Sequence, residues 1–166
     1  MQIGDIILVS GNSFISKIIQ KVTGSKWTHA ALYVGGGNIL EIDWNTRAAV
    51  IKKDYRELEY DYVVLRRNEK LTISQIRKLA ISSLAHDKAG NQYDFFLLFS
   101  MLLKCLFPKG KLFRKFNKRN AYICTELIDT VKRDAGIVLF PNRKGDILPH
   151  EFLECEDLQL VESREN

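Results

Sequence analysis

Apolar residues recur along this chain in two periods, and the switches between them mark out its elements. Ile6-Ile7-Leu8-Val9 is a continuous β-type run ended by Ser10-Gly11-Asn12, a strand followed by a turn. Phe14, Ile15, Ile18, Ile19 and Val22 then recur at helical spacing, with Asn12 or Ser13 as cap and Gly24 as stop. This predicts an amphipathic helix with its stripe in the core. Residues 28–34 and 38–43 alternate as two strands around Gly35-Gly36-Gly37, and further strands are expected at 48–51 and 62–66, separated by a charged turn or short helix. The period returns to helical over 72–86, where Ile73, Ile76, Leu79, Ala80, Ser83 and Leu84 share a face. After an expected loop at 87–92 come an apolar helix from Phe95 to Phe107, closed by Pro108 and Gly110, and a helix from Cys124 to Ala135, closed by Gly136. A short helical piece near 151–155 and an edge strand at 158–161 complete the pattern. The predicted fold is α+β, one domain over 1–166, with an antiparallel sheet of five or six strands packed on helices.

The glycine hairpin can be registered on paper. With three glycines as the loop, Val34 faces Asn38, Leu32 faces Leu40 and Ala30 faces Ile42, an apolar side turned to the core. The opposite side carries His29, Ala31, Tyr33, Ile39, Glu41 and Asp43. His29 then lies across from Asp43 and diagonal to Glu41, so either carboxylate can orient the imidazole.

Composition narrows the function classes. The 166 residues are 46% hydrophobic and 27% charged, an ordinary globular balance that can bury a core without disulfides. Cys105, Cys124 and Cys155 form no C-x-x-C pair, so neither a zinc site nor a disulfide framework is expected, and no metal or cofactor is implied. The first residues lack a basic start and long apolar stretch, and the longest apolar segment, 13 residues from Phe95, falls short of the ~20 that span a bilayer. A cytoplasmic location is expected. The net charge of +5 concentrates between Lys104 and Arg119, with Lys109, Lys111, Arg114, Lys115 and Lys118 between them and no acid. That run is a solvated basic loop or a weak contact for an anionic membrane; specific nucleic-acid recognition is not expected.

Two distant segments carry the chemistry. His29 opens the strand in Trp27-Thr28-His29-Ala30-Ala31-Leu32-Tyr33-Val34, and Cys124 opens the helix in Tyr122-Ile123-Cys124-Thr125-Glu126-Leu127. A cysteine in a helix's first turn sits beside unpaired N–H groups and the positive end of the dipole, which favours thiolate, and an imidazole can take its proton. Cys105 inside an apolar helix and Cys155 read as small buried hydrophobes, His86 as a dipole-compensating residue near a helix end, and His150 as a loop residue. Trp27, Tyr93, Tyr122 and Asp43 are candidates for a substrate pocket. Tyr93-Asp94 also suits a cap for the apolar helix, and Trp27 a core position.

The strand-borne His29, Glu41 twelve positions on, the Gly4-Asp5-Ile6-Ile7-Leu8 start, Tyr93-Asp94-Phe95 and the later Tyr122-Ile123-Cys124-Thr125-Glu126-Leu127 resemble, in this order, one known family. It is the circularly permuted papain-like cysteine hydrolases of the NlpC superfamily, YiiX/YaeF type, over nearly the whole chain. The resemblance implies a Cys124–His29–Glu41 triad, with the Cys124 backbone N–H in an oxyanion hole and Asp43 a physical rival to Glu41. It implies a thiol hydrolase or amidase acting through a thioester on a small peptide-like, amino-acid-conjugate or lipid-like substrate. Relatives of the lecithin retinol acyltransferase group share the histidine-first order but usually have a second histidine where Glu41 stands, which argues mildly against a lipid acyltransferase. A lipid-directed acyl hydrolase and a non-catalytic binding module stand as alternatives.

Overall fold

The computed structural model describes residues 1–106, 121–143 and 146–165, with the side chains of 104–106 left aside; the basic run from Lys104 to Arg119 and Cys105 thus lie outside the described side chains. Six antiparallel strands form one sheet in the order β4-β3-β2-β1-β5-β8. They are β1 (Ile6–Val9), β2 (His29–Gly35), β3 (Asn38–Glu41), β4 (Ala49–Lys52), β5 (Tyr62–Arg67) and β8 (Leu158–Arg164). A second, two-residue pair, β6 (Gln92–Tyr93) and β7 (Ala121–Tyr122), runs parallel. The helices are α1 (Phe14–Thr23), α2 (Ile73–Ala89), α3 (Phe95–Leu106) and α4 (Cys124–Asp134).

Period-two alternation sorts the sheet residues onto two faces. Ile6, Leu8, Ala30, Leu32, Leu40, Val63 and Leu65 pack with Leu127, Ile128 and Val131 of α4 and Leu79 of α2. Ile7, Val9, Ala31, Ile39 and Val64 face the other way, under Tyr55 and Tyr62. Tyr55 sits on a 3-10 turn, Tyr55–Glu57, and is 3% exposed. Arg164, at the end of β8, holds that turn: its guanidinium donates to the carbonyls of Tyr55, Arg56, Leu58 and Tyr60 and lies over the Tyr62 ring.

Several expectations change in detail, each for a packing reason. The hairpin keeps Leu32 opposite Leu40, but its tip is a Gly36-Gly37 turn with Gly35 opposite Asn38 and an irregularity at Val34, instead of a three-glycine loop. Gly35, Gly36 and Gly37 all have positive φ (101°, 63°, 78°), which side-chain-bearing residues adopt only with strain. On α1, Ser13 caps the helix by accepting from Ser16 N, and Ile19 is buried; Phe14 and Ile18 stand exposed, so the stripe is only half core. The face of α2 is turned relative to the expected one. Ile73 and Leu84 are exposed while Leu79, Ser82 and Ser83 are buried, because Ser82 Oγ donates to Asp134 Oδ2 at 2.6 Å and lets α2 approach α4 closely. α2 also runs to Ala89, and the expected loop at 87–92 holds its end, Gly90 and the start of β6. The apolar α3 is not wholly buried: Leu98, Met101 and Leu102 are inside, Phe95, Phe96 and Phe99 outside. Lys132 lies in the last turn of α4. It is fully buried, donates from Nζ to Gly4 O at 2.8 Å, and burial lowers its pKa to about 8.

Candidate active site

Three elements deliver three groups to one place. β2 begins at His29, which pairs with Val9 of β1, and the preceding turn is fixed by Thr28 N donating to Val9 O and Gly11 N to Thr28 Oγ1, each at 3.0 Å. β3 ends at Glu41, whose Oε2 lies 3.2 Å from His29 Nε2. α4 begins at Cys124, whose side chain lies near enough to His29 to raise the imidazole's pKa. With Nε2 turned to Glu41, Nδ1 is the nitrogen left for the thiol.

The cysteine's place is set from both sides. Tyr122 on β7 pairs with Tyr93 on β6, Asp94 N donates to Tyr122 O at 2.9 Å, and Thr125 Oγ1 donates to Ile147 O at 2.6 Å. The helix cap position is Ile123, and no side chain caps the first turn. Ile123 offers the first turn of α4 no side-chain acceptor, and that turn is the positive end of the helix dipole, which favours negative charge beside Cys124.

Glu41 is held more tightly than the hairpin alone predicts. Tyr55 Oη donates to Oε2 at 2.5 Å and Lys53 Nζ to Oε1 at 2.8 Å, and Lys53 also lies over the Tyr55 ring. Sequence reasoning missed both residues. Burial opposes ionisation of Glu41, but His29, Lys53 and Tyr55 outweigh it and bring its pKa down to about 2. For His29, burial likewise disfavours charge, yet the hydrogen bonds to Cys124 and then Glu41, with their charges, raise it to about 10. Burial and then the Glu41 charge push the Tyr55 phenol well above its usual range, so it stays a donor.

These directions set a pH window. Glu41's contribution to stability is complete above the ordinary carboxyl value of 4.5 and is lost as pH falls toward about 2. The contribution of His29 is complete below 6.5 and is lost as pH rises through about 10. Thermal unfolding should show this alkaline loss in the native protein, and His29→Gln should flatten it; an unchanged slope would contradict the paired imidazole.

A cleft of about 120 Å³ opens beside His29, with Gly11, Ser13, Ser16, Asp43, Tyr55 and Tyr93 among its walls. Cys124 is 5% exposed and lies in the neighbourhood of both Tyr55 and Tyr93. Trp44 and Tyr93 are shared with a neighbouring recess of about 410 Å³ that includes Arg47, Asp94, Phe95 and Phe96.

Of the sequence candidates, His29, Glu41, Cys124 and Tyr93 come together. Asp43 lines the cleft, but the expected pairing with His29 does not form, because β3 stops at Glu41 and Asp43 Oδ1 accepts from Trp44 N at 2.7 Å within its own turn. Trp27 is a core residue with Lys26 over its ring, and Tyr122 sets its edge against His86 at 5.1 Å; neither is among the residues lining the cleft. Asp94 caps α3, accepting from Leu97 N at 2.8 Å. His86 accepts from Asn91 Nδ2 at 2.6 Å, His150 lies in a 3-10 segment, and Cys155 is buried with Leu139 O as acceptor.

No protein-family model matches this sequence, and no curated protein matches it. Among solved structures the chain is similar to the metalloprotein YiiX from Escherichia coli O157:H7, with a TM-score of 0.71 and 18% identity over 98% of this chain and 97% of that one. The word metalloprotein describes that protein. Among the described residues here, no three His, Cys, Asp or Glu side chains converge as a metal site. No helix among them is long and apolar enough to cross a membrane. With its six-stranded sheet on helices and its histidine strand ahead of its cysteine helix, the chain has the YiiX-type α+β fold.

Proposed function

We propose that this protein is a thiol hydrolase that cleaves an amide bond through a thioester on Cys124. The observation that carries the reading is His29 Nε2 at 3.2 Å from Glu41 Oε2, with the Cys124 side chain at the start of α4 near enough to raise the imidazole's pKa. Cys124 sulfur, its proton passed to His29, attacks the acyl carbon; His29 then returns the proton to the departing amine, leaving a thioester. Water attacks next, giving its proton to His29, and the C–S bond breaks to release acid and thiolate. The Cys124 N–H at the start of α4, where Ile123 gives no side-chain cap, meets the negative oxygen of each tetrahedral intermediate. Glu41 holds the imidazole, and Tyr55 and Lys53 hold Glu41.

The polar cleft suits a small acyl group, and the recess beyond Trp44 and Tyr93 has room for the rest of a peptide-like or amino-acid-conjugate substrate. Phe95 and Phe96 on that recess favour, as a second reading, a substrate with a lipid-like part. The test is to quench the protein with acid after exposure to a panel of N-acyl amino-acid p-nitrophenyl esters and weigh it. A hydroxylamine-labile acyl adduct on Cys124, absent in His29→Gln, is the expected result. Iodoacetamide near neutral pH should likewise modify Cys124 far faster than Cys155, whose thiol burial pushes up. Equal labelling of the two and no adduct would leave a non-catalytic binding module.

A further inference from the structure

Helices α1 and α3 pack together around a buried cluster that includes Ile19, Leu98, Met101 and Leu102. Their outer faces carry exposed aromatic rings. Phe14 is 78% exposed on α1, and Phe95, Phe96 and Phe99 are 48%, 60% and 61% exposed on α3. A helix packed on one side ordinarily shows charge on the other, and exposed aromatic clusters mark contact surfaces. Lys17 and Lys21 are also exposed, and their three- and four-residue spacing from Phe14 and Ile18 puts all four on one stripe of α1. The sequence has no Asp or Glu over residues 6–40 or 95–125, so neither helix carries a compensating carboxylate.

Aromatic rings beside lysines, with no acid among them, match an anionic lipid surface: phosphates attract the lysines and the rings enter the headgroup layer. A second copy of this chain would set lysine against lysine, which opposes self-association through the same face. We infer that the outer faces of α1 and α3 dock on an anionic lipid surface. Ser13, Ser16 and Ile19, on the other side of α1, wall the cleft, and Tyr93 of that wall leads into α3, so the two docking helices also border the cleft.

The surface does not depend on Cys124, and Cys124→Ala should bind vesicles as the native protein does, which separates this inference from the hydrolase reading. Co-sedimentation of the full chain with phosphatidylcholine vesicles, with and without phosphatidylglycerol, is the test. Binding is expected only with phosphatidylglycerol and should fall at least about tenfold in high salt, each lysine near such a surface contributing about fivefold. Lys17→Glu with Lys21→Glu, and separately Phe96→Ser with Phe99→Ser, should each lower it by at least about tenfold at unchanged melting temperature, since all four residues are exposed. Absence of vesicle binding, or binding indifferent to salt and to both variants, overturns the inference. So does a native dimer in solution that Phe96→Ser with Phe99→Ser dissolves while vesicles stay unbound.

Discussion

Cys124→Ser should lower hydrolysis of the best-cleaved member of an aminoacyl-methylcoumarin amide panel by at least about ten-thousandfold in kcat/KM. The exchange replaces one sulfur by one oxygen at a site 5% exposed, so packing is nearly kept, and the melting temperature should move little. What changes is the nucleophile. A serine hydroxyl gives up its proton far less readily than a thiol, and the positive end of α4 and the imidazole of His29 are not enough to supply the difference. A variant that keeps a hundredth of native activity would place the nucleophile elsewhere.

Glu41→Gln is expected to reduce kcat by about 10²- to 10⁴-fold with a much smaller change in KM. The carboxylate accepts from Tyr55 and Lys53 and faces His29 Nε2, which makes Nε2 the protonated nitrogen and leaves Nδ1 able to receive the thiol proton. An amide at the same place can donate to Nε2 and select the opposite tautomer, in which Nδ1 already carries hydrogen. Asp43→Asn is the contrasting variant. Its carboxylate accepts from Trp44 N in its own turn, so kcat should stay within a few-fold of native. If Asp43→Asn were the more damaging of the two, the orienting role would pass to Asp43.

The part of this arrangement that hairpin parity governs could be read from sequence. Parity put His29 and Glu41 on one face, and the paired Leu32 and Leu40 keep that register despite the shorter turn at Gly36-Gly37. Parity could not choose between Glu41 and Asp43, because that depends on where β3 ends. Tyr55 left no signal: in Lys53-Asp54-Tyr55-Arg56-Glu57 it looks like one aromatic in a charged turn, and only the three-dimensional path buries it against Glu41. The pair β6 and β7 is too short to show a period at two residues each, yet it sets Tyr93 next to the approach to Cys124. Helical spacing found α1, α2 and α3 but misjudged part of their buried sides, since Phe14, Ile73 and Phe96 face outward while Ser82 lies inside. Hydrophobicity at a position does not say whether a neighbour arrives to cover it.

The guanidinium of Arg164 grips the turn that carries Tyr55, and this has a consequence for the order of synthesis. A growing polypeptide has His29 and Glu41 outside the ribosome long before Cys124 emerges, and the β8 clasp follows later still. Until β8 has formed, the Tyr55 turn lacks its Arg164 anchor, and the hydrogen bond by which Tyr55 steadies Glu41 rests on that turn alone.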